Sequence, residues 1–142
     1  MIFEQLSMFF VFSLTMNTRT QLLESIRPEV KVKTESSSEL EIFQSKTLRP
    51  ILKFQNELLL AVFSKHLEEN KIQFKTLRDD KKEEMIHMAL KKDLSLKNEL
   101  RGLIAGHFTL DEFSFYARNK TQINKRILEL IIKRITDQKE KV

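Results

Sequence analysis

At 142 residues, with two glycines, two prolines and no cysteine, the chain has room for one domain and too few turn-forming residues for a β-rich fold. The missing cysteine excludes disulfides, thiolate metal sites and cysteine nucleophiles, and it suits a reducing, cytoplasmic compartment. Lysine and arginine number 25 against 20 aspartate and glutamate, a net charge of +5, but both signs are interspersed as on an ordinary helical surface, so charge alone does not argue for nucleic acid.

Met1 to Thr15 hold an apolar run from Met8 to Leu14, shorter than the ~20 residues a membrane span needs. A secretory signal would place Lys or Arg before such a run and a small-x-small cleavage site after it; this segment has Glu4 and no such site. Met16 then opens a polar stretch and is the expected biological start, with a cleaved or anchoring segment and a genuine hydrophobic arm as the alternatives. Gln21 to Ser38 combine a short apolar cluster (Leu22, Leu23, Ile26), Pro28 and the alternation Val30-Lys31-Val32-Lys33. A lone strand leaves its backbone unpaired, so this segment reads as an extended, irregular arm. The expected organisation is an extension and arm over 1–38, a helical bundle over 39–138 and a charged tail over 139–142.

From Glu39 onward the apolar residues keep a helical beat. Leu48, Ile51, Leu52, Leu58, Leu59, Val62, Phe63 and Leu67 share one stripe, which predicts a central helix from Leu48 to Glu69 with Pro50 in its first turn. Phe54, Leu60 and Ala61 widen its apolar surface. Ser38 or Thr47 is placed to cap, so a short helix from Glu39 to Ser45 either precedes or merges with it. Asp79 or Asp80 is expected to cap a helix carrying Ile86, Met88, Ala89 and Leu90, and a break at Asp93-Leu94-Ser95 separates it from one carrying Leu96, Leu100, Leu103 and Ile104.

Both glycines, Gly102 and Gly106, fall just before Thr109-Leu110-Asp111-Glu112. That tetrapeptide reads as a capping box, in which the Thr109 hydroxyl accepts from the Glu112 N–H and the Glu112 carboxylate reaches back to the Thr109 N–H. Gly106-His107-Phe108 is then a helix-to-helix corner. Gly106 is expected as a left-handed cap, His107 as a donor to open helix carbonyls, and Phe108 as a staple packed on Phe113. Gly102, Ala105 and Gly106 read as a small-residue patch that lets another helix approach closely, because a glycine inside a helix otherwise costs about 1 kcal/mol.

A final helix over about Thr121 to Gln138 presents Ile123, Ile127, Leu128, Leu130, Ile131, Ile132 and Ile135. This arc exceeds half the helix circumference, so it must be covered by the rest of the domain or by a second copy. The predicted fold is an all-α bundle of about four to six helices with an irregular N-terminal arm.

The segments Thr47 to Leu58 (TLRPILKFQNEL) and Gly102 to Glu112 (GLIAGHFTLDE) resemble those of small helical bacterial proteins without an established activity, some of which carry the name glyoxalase. The resemblance spans about Ser25 to Gln138. It implies an all-helical fold and transfers no catalytic motif: glyoxalases of the vicinal oxygen chelate type hold their metal with His and Glu on β-strands, whereas the three histidines here fall in helical pattern.

Few residues point to chemistry. Gln55 interrupts the apolar stripe, and a buried amide there either holds a neighbouring helix end or lines a cleft. Gln55, His66, His107 and Tyr116 form the candidate pocket. Glu84-Met85-Ile86-His87 has the Glu-x-x-His spacing of di-iron bundles, but the second copy such sites need is missing. His66, His87 and His107 could meet as a zinc site only if three helices converge; no metal or cofactor is expected. Arg118, Lys120, Lys125, Arg126, Lys133 and Arg134, with Gln122 and Asn124, mimic the start of a recognition helix, although a solvated basic rim is the favoured reading over nucleic acid. The leading expectation is a non-enzymatic helical interaction protein, a homodimer or larger homo-oligomer joined through its last helix or meeting another protein. The alternatives are a small-molecule binder or enzyme at the candidate pocket, and nucleic-acid binding.

Overall fold

The computed structural model describes residues 18–31 and 37–142. The expectations for Met1 to Thr15, for Met16, and for Val32, Lys33 and Ser36 lie outside the described residues. The fold is all-α, with no strand among the described residues. In chain order the helices are α1 (Thr18–Ile26), α2 (Glu39–Phe43), α3 (Arg49–Phe54), α4 (Asn56–Glu69), α5 (Asp79–Lys92), α6 (Leu94–Ala105), α7 (Leu110–Arg118) and α8 (Lys120–Asp137).

The lead-in expected to be irregular is thus partly helical. Helix α1 stops just before Arg27-Pro28, where the proline disfavours helical backbone in the residue before it. The expected charged tail is also anchored: Lys139–Lys141 form a 3₁₀ turn, Lys139 reaches Glu83 at 3.4 Å, and Val142 is buried in the core.

Ser38 and Glu41 form a capping box that starts α2, and α2 runs into α3 through a π turn at Gln44–Leu48. The Arg49 N–H reaches back five residues to the Gln44 carbonyl. Widening the ladder immediately before Pro50 accommodates a residue that has no donor and whose ring crowds the carbonyl four residues back. Thr47, a possible cap, is instead buried on this turn.

The single helix expected from Leu48 to Glu69 is interrupted at Gln55, which takes φ −85° and ψ 3°. Leu59, Leu60, Phe63 and Leu67 turn inward on α4, whereas Leu58 of the predicted stripe and Phe54 beside it stay exposed. At α5, Asp79 and Asp80 are not caps but the first helical residues, where their charges favour the helix dipole; Arg78 holds the cap position without a side-chain capping bond. Asp93 does cap α6, accepting from the Leu96 N–H at 3.0 Å.

Helix α8 is the spine. It packs against α4, α5, α6 and α7, and Ile123, Ile127, Ile131 and Ile135 are completely buried, with Ile132 nearly so. The apolar arc expected to await a second copy is consumed within the chain; only Leu128 and Leu130 at its margins stay partly accessible. Ile123, Ile127, Ile131, Ile132 and Ile135 are therefore core residues rather than a free face. The expected small-residue contact is not found at Gly102, which is exposed: a methyl group there would meet open space, and no helix among the described residues packs against it.

Candidate functional site

The α6–α7 corner concentrates the polar contacts between distant parts of the chain. A helix that ends without a left-handed residue must find other donors for its last carbonyls. Gly106, expected in that conformation, is right-handed at φ −61° and ψ −19°. The Gly102 carbonyl accepts from the Gly106 N–H at 2.9 Å, Ile104 from His107 at 3.1 Å and Ala105 from Phe108 at 3.0 Å. The Leu103 carbonyl receives the Gln55 amide, Nε2 donating at 3.0 Å. Gln55 is therefore the side chain that ties the bend between α3 and α4 to the end of α6.

Beyond the helix end, arginines from α1 and its exit supply the donors. Arg19 donates to the Phe108 carbonyl at 2.8 Å and to Gly106 at 3.2 Å, and Arg27 donates to His107 at 2.7 Å. Every carbonyl from Gly102 to Phe108 thus has a donor. The His107 backbone, rather than its ring, joins this network.

Glu112 anchors the arrangement. The predicted capping box is present, with the Thr109 N–H on Glu112 Oε1 at 2.8 Å and the Glu112 N–H on the Thr109 hydroxyl at 3.2 Å. The same carboxylate takes both ends of the Arg27 guanidinium at 2.7 and 2.6 Å and the Thr47 hydroxyl at 2.7 Å. The Arg27 and Glu112 side chains are only 12% and 17% exposed, and Arg27 Nε is buried without an acceptor. Burial works to raise the Glu112 carboxyl. The hydrogen bonds from Arg27, the Thr109 backbone and Thr47, together with the Arg27 charge, outweigh it and hold the group below its ordinary value.

Around this corner the remaining candidates go separate ways. Phe108 is buried against Phe43 and Tyr116, while Phe113, its expected staple partner, is exposed with its ring near Tyr116. The Tyr116 hydroxyl donates to Asn124 at 2.8 Å. The His107 ring lies against Phe54. His66 lines a cleft of about 440 Å³ with Asp93, its Nδ1 lying 3.8 Å from the carboxylate. His87 lines a different cleft beside Lys91 and Lys125. Gln55, His66, His107 and Tyr116 are not brought together as one pocket, and the three histidines have different neighbours. Glu84 of the Glu-x-x-His pattern is paired with Lys81 at 3.0 Å, and among the described residues no group of three or more metal-ligating side chains is placed to hold an ion.

Of the residues that mimicked a recognition helix, three are tied inward, while Arg118, Lys120, Gln122, Lys125 and Lys133 are exposed. Asn124 accepts from Tyr116, and Arg126 donates to Gln44 at 2.7 Å. Arg134 donates to Asn56 at 3.1 Å. Among the described residues no helix is long and apolar enough to cross a membrane. In comparisons with protein-family models, curated proteins and solved structures, nothing matches the chain.

Two results are expected at the corner. Gln55→Leu leaves the Leu103 carbonyl without its donor and should lower stability by about 1–2 kcal/mol in urea denaturation; an equal or higher midpoint would remove Gln55 from the network. Burial first, then the charges of Arg27 and Arg19, hold the His107 imidazole below its ordinary value of 6.5. The folded state therefore disfavours protonation there, and the stability His107 contributes above that ordinary value is lost as pH falls through and below it. Thermal melts from about pH 7.5 to pH 5.5 should decline more steeply for wild type than for His107→Gln, and parallel declines would contradict the assignment.

Proposed function

We propose that the chain acts by contact rather than by bond-making, as a helical interaction protein that associates with a second copy of itself. The observation that supports this reading is the set of apolar side chains left exposed around a corner whose carbonyls from Gly102 to Phe108 all have donors. Leu110 is 74% exposed and Phe113 53% on α7, with Leu22 and Ile26 on α1 and Phe54 beside His107. Arg19 and Arg27 hold α1 to this corner, so its apolar residues are offered from a braced scaffold. Rigid presentation lowers the ordering cost of an interface, and clustered exposed hydrophobes are the usual mark of one.

This reading moves self-association from the apolar arc of α8, which the fold consumes, to α1 and α7. A cytoplasmic location is part of the proposal, since a chain without cysteine has no disulfide to lose in a reducing compartment. Sedimentation velocity over a micromolar concentration series tests it. The expected result is concentration-dependent association that Leu110→Ser with Phe113→Ser abolishes without lowering the melting temperature. A strict monomer throughout the series would remove the proposal.

A further inference from the structure

A second surface has the opposite chemistry. A cleft of about 670 Å³ opens between α3, α8 and the segment after α1, on a floor that includes Leu52 and Leu130. Its walls hold Lys31, Arg49, Lys53, Lys133 and Arg134 against two carboxylates, Glu29 and Asp137. Asp137 is engaged by Lys133 at 2.8 Å.

Arg49 and Lys53 stand one turn apart on the same face of α3, an arrangement in which like charges repel. Neither has an ion-pair partner among the described residues. Across the cleft Arg134 donates to the neutral Asn56 amide. Burial pushes its guanidinium down, and the Asp137 charge only partly offsets this. These cations line a concave surface on which, among the described residues, the carboxylates are too few to neutralise them.

We propose that this cleft binds a small phosphate-bearing molecule. Guanidinium groups match phosphate oxygens in paired hydrogen bonds, while lysines supply compact charge. The volume falls within the range of small-molecule sites. Leu52 and Leu130 provide the apolar contact that an organic portion of the ligand would use. The proposal is independent of self-association, because none of the exposed apolar residues at the α6–α7 corner lines the cleft.

Isothermal titration of the full chain at low ionic strength, with sodium pyrophosphate as the probe, tests the inference. Saturable one-to-one binding is expected, weakened about tenfold or more by Arg49→Gln with Lys53→Gln and by raised salt. Both residues are exposed, so the melting temperature of the variant should match wild type. Lys91→Gln with Lys125→Gln, in the neighbouring cleft with His87, should leave binding unchanged. No saturable binding, equal binding by the Arg49/Lys53 variant, or equal loss in the Lys91/Lys125 variant would overturn the assignment. A short single-stranded oligonucleotide that binds the same face and is not displaced by pyrophosphate would overturn it in favour of a nucleic-acid surface.

Discussion

Ile127→Ala should destabilise the protein by about 2–5 kcal/mol, because it removes a completely buried branched side chain from the helix on which the fold converges. Packed interiors relax only partly around a deletion, so the lost burial and the residual cavity add. A small domain has about 5–15 kcal/mol in total, so the change should be obvious in equilibrium denaturation. Leu130→Ala, at the partly accessible margin of the same helix, should cost about 1 kcal/mol or less. The two variants thereby separate a core helix from an interface helix. If α8 served mainly to join two copies, Ile127→Ala would dissociate an oligomer while the separated chains kept their melting temperature.

Glu112→Ala should cost about 3 kcal/mol through a different mechanism. The carboxylate is the common acceptor for the Arg27 guanidinium, the Thr47 hydroxyl and the Thr109 N–H. Removing it leaves a largely buried cation and two further donors without their partner, and an unpaired buried charge costs more than the pair contributes. The pH dependence follows from the lowered carboxyl. Its stabilisation is fully present above the ordinary carboxylate value of 4.5 and declines as pH falls from there through the lower folded value. Wild type should therefore lose its advantage over Glu112→Ala in strong acid. A constant difference between the two proteins across that interval, measured by urea denaturation, would contradict the role given to the carboxylate.

Local signals of the fold were legible because their chemistry lies within a few residues. The Thr109/Glu112 capping box, the Asp93 cap and the break after α5 follow from side chains that reach their own backbone. The buried stripe of α8 follows from spacing alone, although spacing does not say what covers it. What closes the corner was not legible, because Arg27 and Glu112 are 85 residues apart in sequence and Gln55 and Leu103 are 48 apart. A weak signal did exist: Arg19, Leu23 and Arg27 recur at every fourth residue ahead of Pro28, the pattern of a helix face with a stop.

Other differences have equally local causes. Pro50 fits inside a longer helical run because the π turn before it changes the hydrogen-bond spacing. Lys82, a charged residue on a polar-looking helix, is nearly buried because its ammonium lies 5.7 Å from the centre of the Phe74 ring, a cation–π contact that composition does not reveal. Gly102 reads as a packing residue because interior glycine is costly in a helix, yet among the described residues no side chain or neighbouring helix lies where its Cβ would point. At the candidate site, Gln55 was legible as a residue that needed a partner, while the identity of that partner depended on the tertiary fold.

Peptide-resolved hydrogen exchange on wild type and Glu112→Gln most directly tests the claim that side chains from distant segments close the α6–α7 corner. Loss of the carboxylate should release Arg27 and with it the hold on α1, so α1 and the first turn of α7 should lose protection together while α5 and the centre of α8 keep theirs. Unchanged protection of α1 in Glu112→Gln would contradict the account.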